Sequence, residues 1–416
     1  MQDKADSKLI KRLNEVRLLN LIRTQGPISR NELARRSKIS KVAVSEIIGR
    51  LMEAGYVLEI GKGKSTQKGG KRPTMIKLNP ENGYVIGIEI KRRFARIALA
   101  NMVSEILGVD QVNYDVGTTI DDGLQKIFDR VDGLLAKHQI ERCKLISIAI
   151  GIPGFIDYSK GELLFADTLR GWANQPLAIR FKERYGVPTI LENDVNIIAL
   201  GEALSGAGVG TSNLVCIWIG EGIGSGIMVD EHLVRGETGN AGEIGYLELG
   251  HYVTNMNRLK NLYTSQRYFG ELLSEMNLFE TLKMKLQWRT NHGPESNEHQ
   301  TLEAMLAEGD RGNVMVQEIL DEYALPLAIV CMNYIKTINP SSIILSGRVI
   351  EHSSYLLEKV RQLVKQSMMN MPFQPSTIMV SKLGDQAGIK GAIALALQTI
   401  FEPPVTKNKS HTRIAI

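Results

Sequence analysis

Cysteine is scarce in this chain of 416 residues, and its three examples, Cys143, Cys216 and Cys331, stand far apart. That excludes a disulfide framework and any paired-cysteine metal motif, and it fits the thiols of a reducing compartment. Long apolar runs are also missing. No stretch reaches the roughly 18 uninterrupted apolar residues of a membrane-spanning helix, and the opening Met1 to Lys8 lacks the apolar core of a signal peptide. A soluble cytoplasmic protein without membrane association is therefore expected. Acidic side chains are few at the N-terminal end: residues 1–80 hold 18 Lys and Arg against 7 Asp and Glu, a local net of +11. The remaining 336 residues then net −6 within a total of +5. A basic face confined to one end calls for a polyanionic partner, because each phosphate contact releases condensed counterions.

The sequence at that end has the pattern of a nucleic-acid reader. Leu9, Leu13, Val16, Leu19 and Ile22 recur every three or four positions and predict a first helix, stopped by Gly26-Pro27. Ser29 with Glu32 three residues on reads as a capping box opening a second helix that ends near Ser37. Ser40 caps a third helix, whose Val44, Ile47, Ile48 and Leu51 share one face. The opposite face leaves Ser40, Lys41, Val42, Ala43, Ser45 and Arg50 free to meet base edges in a major groove about 12 Å wide. Two strands are predicted next, Tyr56–Ile60 and Thr74–Leu78, with a glycine-rich hairpin between them carrying Lys62, Lys64, Lys68, Lys71 and Arg72. Cations on a flexible ribbon suit phosphate and minor-groove contact, with Lys68, Lys71 and Arg72 the foremost candidates. Three helices and a basic wing make residues 1–80 a winged helix-turn-helix for an operator of double-stranded DNA.

Beyond a short linker at Asn79–Gly83 the pattern becomes mixed α/β. Predicted strands at Tyr84–Ile90, Ala95–Ala100, Leu145–Ile150 and Thr189–Leu191 alternate with helices at Leu124–His138 and Leu177–Tyr185. Glycine-rich turns follow several strands: Gly151-Ile152-Pro153-Gly154, Gly220-Glu221-Gly222-Ile223-Gly224, and Ala241-Gly242-Glu243-Ile244-Gly245-Tyr246. With Glu192-Asn193-Asp194-Val195-Asn196 between the first two, and with Gly171-Trp172, Leu200-Gly201-Glu202, Ser346-Gly347 and Gly384-Asp385-Gln386-Ala387-Gly388, the series resembles the ROK family of repressors and sugar kinases.

The resemblance spans essentially the whole chain, since the repressor branch, which includes xylose and N-acetylglucosamine repressors, also carries a winged helix. It implies an actin-like, hexokinase-like fold of two α/β lobes over residues 81–400, with residues 401–416 as a tail. It also implies a ligand cleft between the lobes and assembly as a homodimer or homotetramer.

The departures from the family pattern concern chemistry. Kinases of the family open with Asp-x-Gly-Gly-Thr, whose glycines let the backbone cradle nucleotide phosphates. Here the matching residues are Glu89-Ile90-Lys91-Arg92-Arg93, and two long cations fill the turn. Lys91 and Arg92 retain the ability to attract an anion, but ATP binding and phosphoryl transfer are not expected. Asp194 falls on the kinase's catalytic base. Without a phosphate loop it is expected to accept a hydrogen bond from a sugar hydroxyl, beside Asn193, Glu243, Tyr246 and Gly154, or else Asn193 and Asp194 only cap the helix that follows. Tyr246 stands where the family has a zinc-binding His, and residues 247–265 hold no cysteine, so neither zinc nor another cofactor is expected. His251, lacking cysteine partners, reads as a surface residue, and Asn261 stands loosely for a sugar-binding Glu.

Together these readings give a carbohydrate-responsive repressor without enzymatic activity, released by a sugar or sugar derivative. A sugar kinase with an appended DNA reader, and a regulator controlled by a protein partner, are the alternatives.

Overall fold

A computed structural model describes residues 2–63, 72–115, 117–169, 171–247, 269–285, 301–369, 371–372 and 376–401, with side chains from Leu9 onward. The N-terminal unit runs α1 (Gln2–Gln25), β1 (Ile28–Ser29), α2 (Arg30–Ser37), α3 (Lys41–Glu53), β2 (Val57–Lys62) and β3 (Thr74–Leu78). Val16, Leu18, Leu19 and Ile22 bury the inner face of α1. The helix ends at Gln25, before Gly26-Pro27; proline has no N–H to continue the ladder, and the turn at Gly26 is so tight that a Cβ there would lie 2.4 Å from the Ile22 carbonyl oxygen. Ser29 Oγ accepts from Glu32 N at 3.3 Å and Ser40 Oγ from Ala43 N at 3.2 Å, so both predicted caps start their helices. The capping box is one-sided, however. The Glu32 carboxylate turns to Arg35 and Arg36, where charge-assisted bonds outcompete a neutral backbone N–H. The sheet has a third strand not expected from the sequence: β1 pairs with β3, Ile28 opposite Ile76.

The segment read as a linker is firmly packed. Pro80–Asn82 form a 3-10 turn capped by Asn79, whose Nδ2 also donates to Gly55 O at 2.9 Å. A Cβ on Gly83 would lie 2.1 Å from Ile146 Cδ1. Composition marks a change at this point but says nothing of how tightly its two sides meet.

Two lobes follow. The first is built on β4 (Tyr84–Ile90), β5 (Phe94–Asn101), β6 (Ile106–Asn113), α4 (Ile120–Lys137), β7 (Leu145–Ile152), the hairpin β8 (Phe155–Asp157) and β9 (Glu162–Phe165), α5 (Leu177–Tyr185) and β10 (Thr189–Asn193). Its sheet has the order β10-β7-β4-β5-β6, with β10, β7 and β4 parallel. Helix α6 (Asp194–Ser205) leads to the second lobe, with β11 (Leu214–Ile219), β12 (Ile223–Val229), β13 (His232–Leu233), α7 (Phe269–Leu272), α8 (Glu275–Lys285), α9 (Leu302–Asp310), α10 (Val314–Thr337), β14 (Ser342–Ser346), α11 (Arg348–Glu351), α12 (Ser354–Met368) and β15 (Thr377–Val380). That sheet has the order β13-β12-β11-β14-β15. Helix α13 (Ala387–Phe401) closes the described chain.

Strands buried on both faces need apolar residues at every position, and β4 shows the division. Ile86, Ile88 and Ile90 join Leu124, Phe128 and Phe181 beneath α4 and α5, whereas Val85 joins the cluster of α6 and α13. Helices α6 and α13 are thus shared by the two lobes. Their crossing is close enough that a Cβ on Gly391 would lie 1.7 Å from Ile197 O, which only glycine permits. This is the expected actin-like pair of lobes with a cleft between them. Among the described residues, no helix is long and apolar enough to cross a membrane.

Candidate functional site

The cleft holds a cavity of about 860 Å³, and Gly154, Asn193, Asp194, Glu243 and Tyr246, the five residues expected to bind an effector, all line it. Strand β10 delivers the central pair to the mouth of α6. Asn193 takes the capping role considered for it, Oδ1 accepting from Val195 N at 2.8 Å, while its Nδ2 donates to Gly154 O at 3.3 Å across the cleft floor. Gly154 has φ +121°, and a Cβ there would meet Phe165 O at 2.1 Å. Glycine is required here by the left-handed backbone and by the close approach of the Phe165 carbonyl.

Asp194 is only 4% exposed, and its Oδ2 lies 2.9 Å from Lys91 Nζ. Lys91 also sits 3.4 Å from Glu89 Oε1 and 4.5 Å from the centroid of the Trp218 ring. Burial works against its charge, but Asp194 and Glu89 outweigh burial and hold the ammonium above its ordinary range. The expectation that Lys91 attracts an anion needs correcting, because two buried carboxylates of the protein already neutralise it. Arg92 lies 3.7 Å from Glu221 on the opposite lobe, an exposed and therefore weak pair. Further along the same cleft Arg348 pairs with Glu275 at 3.0 Å and with Glu303.

Glu243 is set by a turn that brings Gly242, at φ +93°, against β12. Ser225 Oγ donates to Gly242 O at 2.9 Å, and a Cβ on Gly242 would meet Ser225 O at 2.0 Å. Burial, reinforced by the charge of Asp194, pushes the Glu243 carboxyl up to about 7. It therefore offers a proton near neutral pH, so the site presents one donor carboxyl and one ion-paired acceptor. Tyr246, in the turn that follows, is 46% exposed, and its ring lies 5.8 Å from that of Phe155.

Glu192, to which the sequence reading gave no role of its own, is a supporting residue of the site. It is fully buried and accepts from Tyr158 OH at 2.7 Å, Asn196 Nδ2 at 2.9 Å, Arg235 Nε at 2.7 Å and Asn193 N at 3.0 Å. Those bonds fix the strand end that presents Asn193 and Asp194. A carboxylate directly before the Asn-Asp pair, at the end of a buried strand, was the available signal.

On the N-terminal unit, Ser40, Lys41, Val42 and Ser45 are exposed along the start of α3, Val42 by 80%, and Ala43 is half-buried. Arg50 departs from the expected reading surface. Its guanidinium pairs with Glu15 of α1 at 3.0 Å and with Glu46 at 2.8 Å, one turn away, and so fastens α3 to α1. Arg72 is exposed at the foot of the wing, while Lys68 and Lys71 lie outside the described residues, as do His251 and Asn261.

Comparison with known proteins places this fold. The ROK family profile matches residues 85–399, far more than half of the chain. The chain belongs to the ROK family. Ahead of the ROK domain, the MarR family profile matches residues 10–62, from within α1 to the end of β2. Similar proteins include the xylose repressor of Caldicellulosiruptor bescii, 28% identical over 401 residues, with 95% of this chain and 98% of that protein covered. Another is the DNA-binding transcriptional dual regulator NagC of Escherichia coli K12, 24% identical with 94% of each chain covered. Among solved structures, a ROK family transcriptional regulator described as a homolog of the E. coli MLC protein has a TM-score of 0.77 at 22% identity, covering 94% of this chain and 97% of its own. A ROK family glucokinase from Streptomyces griseus, solved with glucose and AMPPNP, has a TM-score of 0.59 at 22% identity over 76% of this chain and 100% of that one. The winged helix is thus an addition to a fold that kinases and regulators share.

Proposed function

We propose that this ROK protein is a sequence-specific DNA-binding repressor of carbohydrate-utilisation genes, modulated by a sugar or sugar derivative in the cleft and without kinase activity. The observation that carries the reading is Lys91. Phosphoryl transfer needs a turn that admits phosphates and a free base that takes the hydroxyl proton. Here the turn carries Lys91, and Lys91 Nζ lies on the carboxylate that would be the base. The same cleft still presents Asn193 and Glu243, polar groups suited to holding hydroxyls without reacting with them. Ser40, Lys41, Val42, Ala43, Ser45 and Arg72 are the proposed DNA contacts, with Lys68 and Lys71 of the wing beside them, and Arg50 supporting α3 from behind. A homodimer or homotetramer would set two such readers on the half-sites of a palindromic operator.

Two assays test this. Genomic fragments selected by the purified protein should share an inverted repeat, and one class of sugar should change the affinity for that repeat. Coupled assays of ATP consumption with a hexose panel should stay at background. Turnover that disappears in Asp194→Asn would instead establish the kinase reading.

A further inference from the structure

The cleft carries an apolar feature that hydroxyl recognition does not use. Phe155 and Phe165, on the β8–β9 hairpin of the first lobe, stack with ring centroids 6.1 Å apart and planes 27° apart. Tyr246, from the second lobe, completes the row 5.8 Å from Phe155 at 39°. All three line the cavity. Elsewhere in the first lobe, aromatic pairs such as Phe128 and Phe181 are core contacts. Phe165 and Tyr246, by contrast, are 45% and 46% exposed. Aromatic surface left to water beside a cavity marks a place that another molecule covers.

The position of the row identifies that molecule. Phe155 directly follows Gly154, whose carbonyl holds Asn193, and Tyr246 ends the short turn that begins after Glu243. The rings therefore adjoin the polar groups that would grip one sugar ring and extend outward from them. The C–H face of a pyranose is apolar and flat, and it stacks on such rings while its hydroxyls point sideways to water or to protein. The cavity measures about 860 Å³. Small-molecule sites reach an upper size of roughly 1000 Å³, so the whole cleft, which also runs past Lys91 to Arg348 and Gly384, has room for more than one sugar ring.

We infer that Phe155, Phe165 and Tyr246 form a second, aromatic subsite, and that the effector is a disaccharide: one ring sits at Asn193, Asp194 and Glu243, and the next lies along the aromatic row. The inference rests on the sugar-effector reading and adds the length of the ligand to it. Because the row draws on both lobes, a two-ring ligand touches both sides of the cleft, and its outer ring contributes to closure.

Isothermal titration of the full chain with xylose, glucose and N-acetylglucosamine, and with xylobiose, cellobiose, maltose and diacetylchitobiose, tests it. At least one disaccharide should bind tenfold or more tightly than its own monosaccharide. Phe165→Ala should remove most of that advantage while changing monosaccharide affinity less than twofold, and Phe165→Trp should keep it. Phe165 is half exposed, so its removal leaves the core intact, and unchanged thermal unfolding serves as the control. Monosaccharides that bind as tightly as their disaccharides, or a Phe165→Ala variant that weakens both alike, would overturn the second subsite and leave the sugar-effector reading standing. If no sugar of either length binds, both fall together.

Discussion

Lys91 meets three partners at once, two carboxylates and an indole, in a place where the kinases of the family need empty space. Removing one member of a buried ion cluster costs more than the cluster contributes, because the remaining charges lose their counter-ion away from water. Lys91→Ala would leave Asp194, only 4% exposed, without its counter-ion, while the equally buried Glu89 keeps Arg96 at 3.6 Å. It should destabilise the protein by about 3–5 kcal/mol in urea unfolding. A loss below about 1 kcal/mol would mean that water already compensates the pair. The neighbouring carboxyl makes a second, signed prediction. Glu243 titrates at about 7 in the folded chain against an ordinary 4.5. Between those values the native state keeps a proton that the unfolded chain has released, so stability falls as pH climbs from about 4.5 to 7, and the cost persists above. Glu243→Gln should therefore leave stability at about pH 4.5 nearly unchanged and raise it at about pH 8 by about 1–3 kcal/mol. Urea curves of the two proteins that stay parallel across this range would refute the assignment. The sequence made Lys91 conspicuous as a cation in place of glycine. It did not disclose the pairing, since Asp194 is 103 positions away and only the folded sheet brings the two together.

At the scale of elements, what was legible was whatever local chemistry decides. Ser29, Ser40 and Asn193 cap helices where their side chains can accept from the backbone, and α5 has the bounds expected from its periodicity. Strand β1 was not legible, because two residues carry no periodicity and pair only when β3 is already in place. The packing of the turn at Pro80–Asn82 was also hidden, since Asn79 caps it locally but Gly55 and Ile146, which hold its two flanks, are distant in sequence. Arg50 belongs to the same class, exposed by helical spacing but recruited by Glu15 of another helix. That difference is measurable. Lys41→Ala and Arg72→Ala should each lower the slope of log K against log salt by about 1 in operator binding. Arg50→Ala should leave the slope unchanged and cost about 1 kcal/mol of stability instead. A slope that falls in Arg50→Ala would return this residue to the DNA face.

At the scale of the molecule, one helix joins the cleft to the reader. Helix α13 begins where Gly388 packs against Glu89, so close that a Cβ would lie 2.3 Å from Oε1, and it ends at Phe401 beneath α1. There Asn20 Nδ2 donates to Phe401 O at 2.7 Å, and the Arg23 guanidinium lies 4.7 Å above the Phe401 ring. The helix has 15 residues. At that length it is a rigid rod of about 22 Å. A change of lobe angle at its first turn therefore moves its last turn, and with it the helix to which α3 is fastened. A ligand couples to DNA only through unequal affinity for the two arrangements, and couplings of about 1–3 kcal/mol change affinity roughly 5- to 150-fold. Asn20→Ala removes the hydrogen bond at this contact without opening the core. It should shrink the effector's influence on operator affinity several-fold while leaving the affinity for effector alone as it was. Because coupling is reciprocal, operator DNA should lose its influence on effector binding by the same factor. Titrations of each ligand with and without the other measure both ratios. If both survive unchanged in Asn20→Ala, the signal does not pass through the junction of α1 and α13.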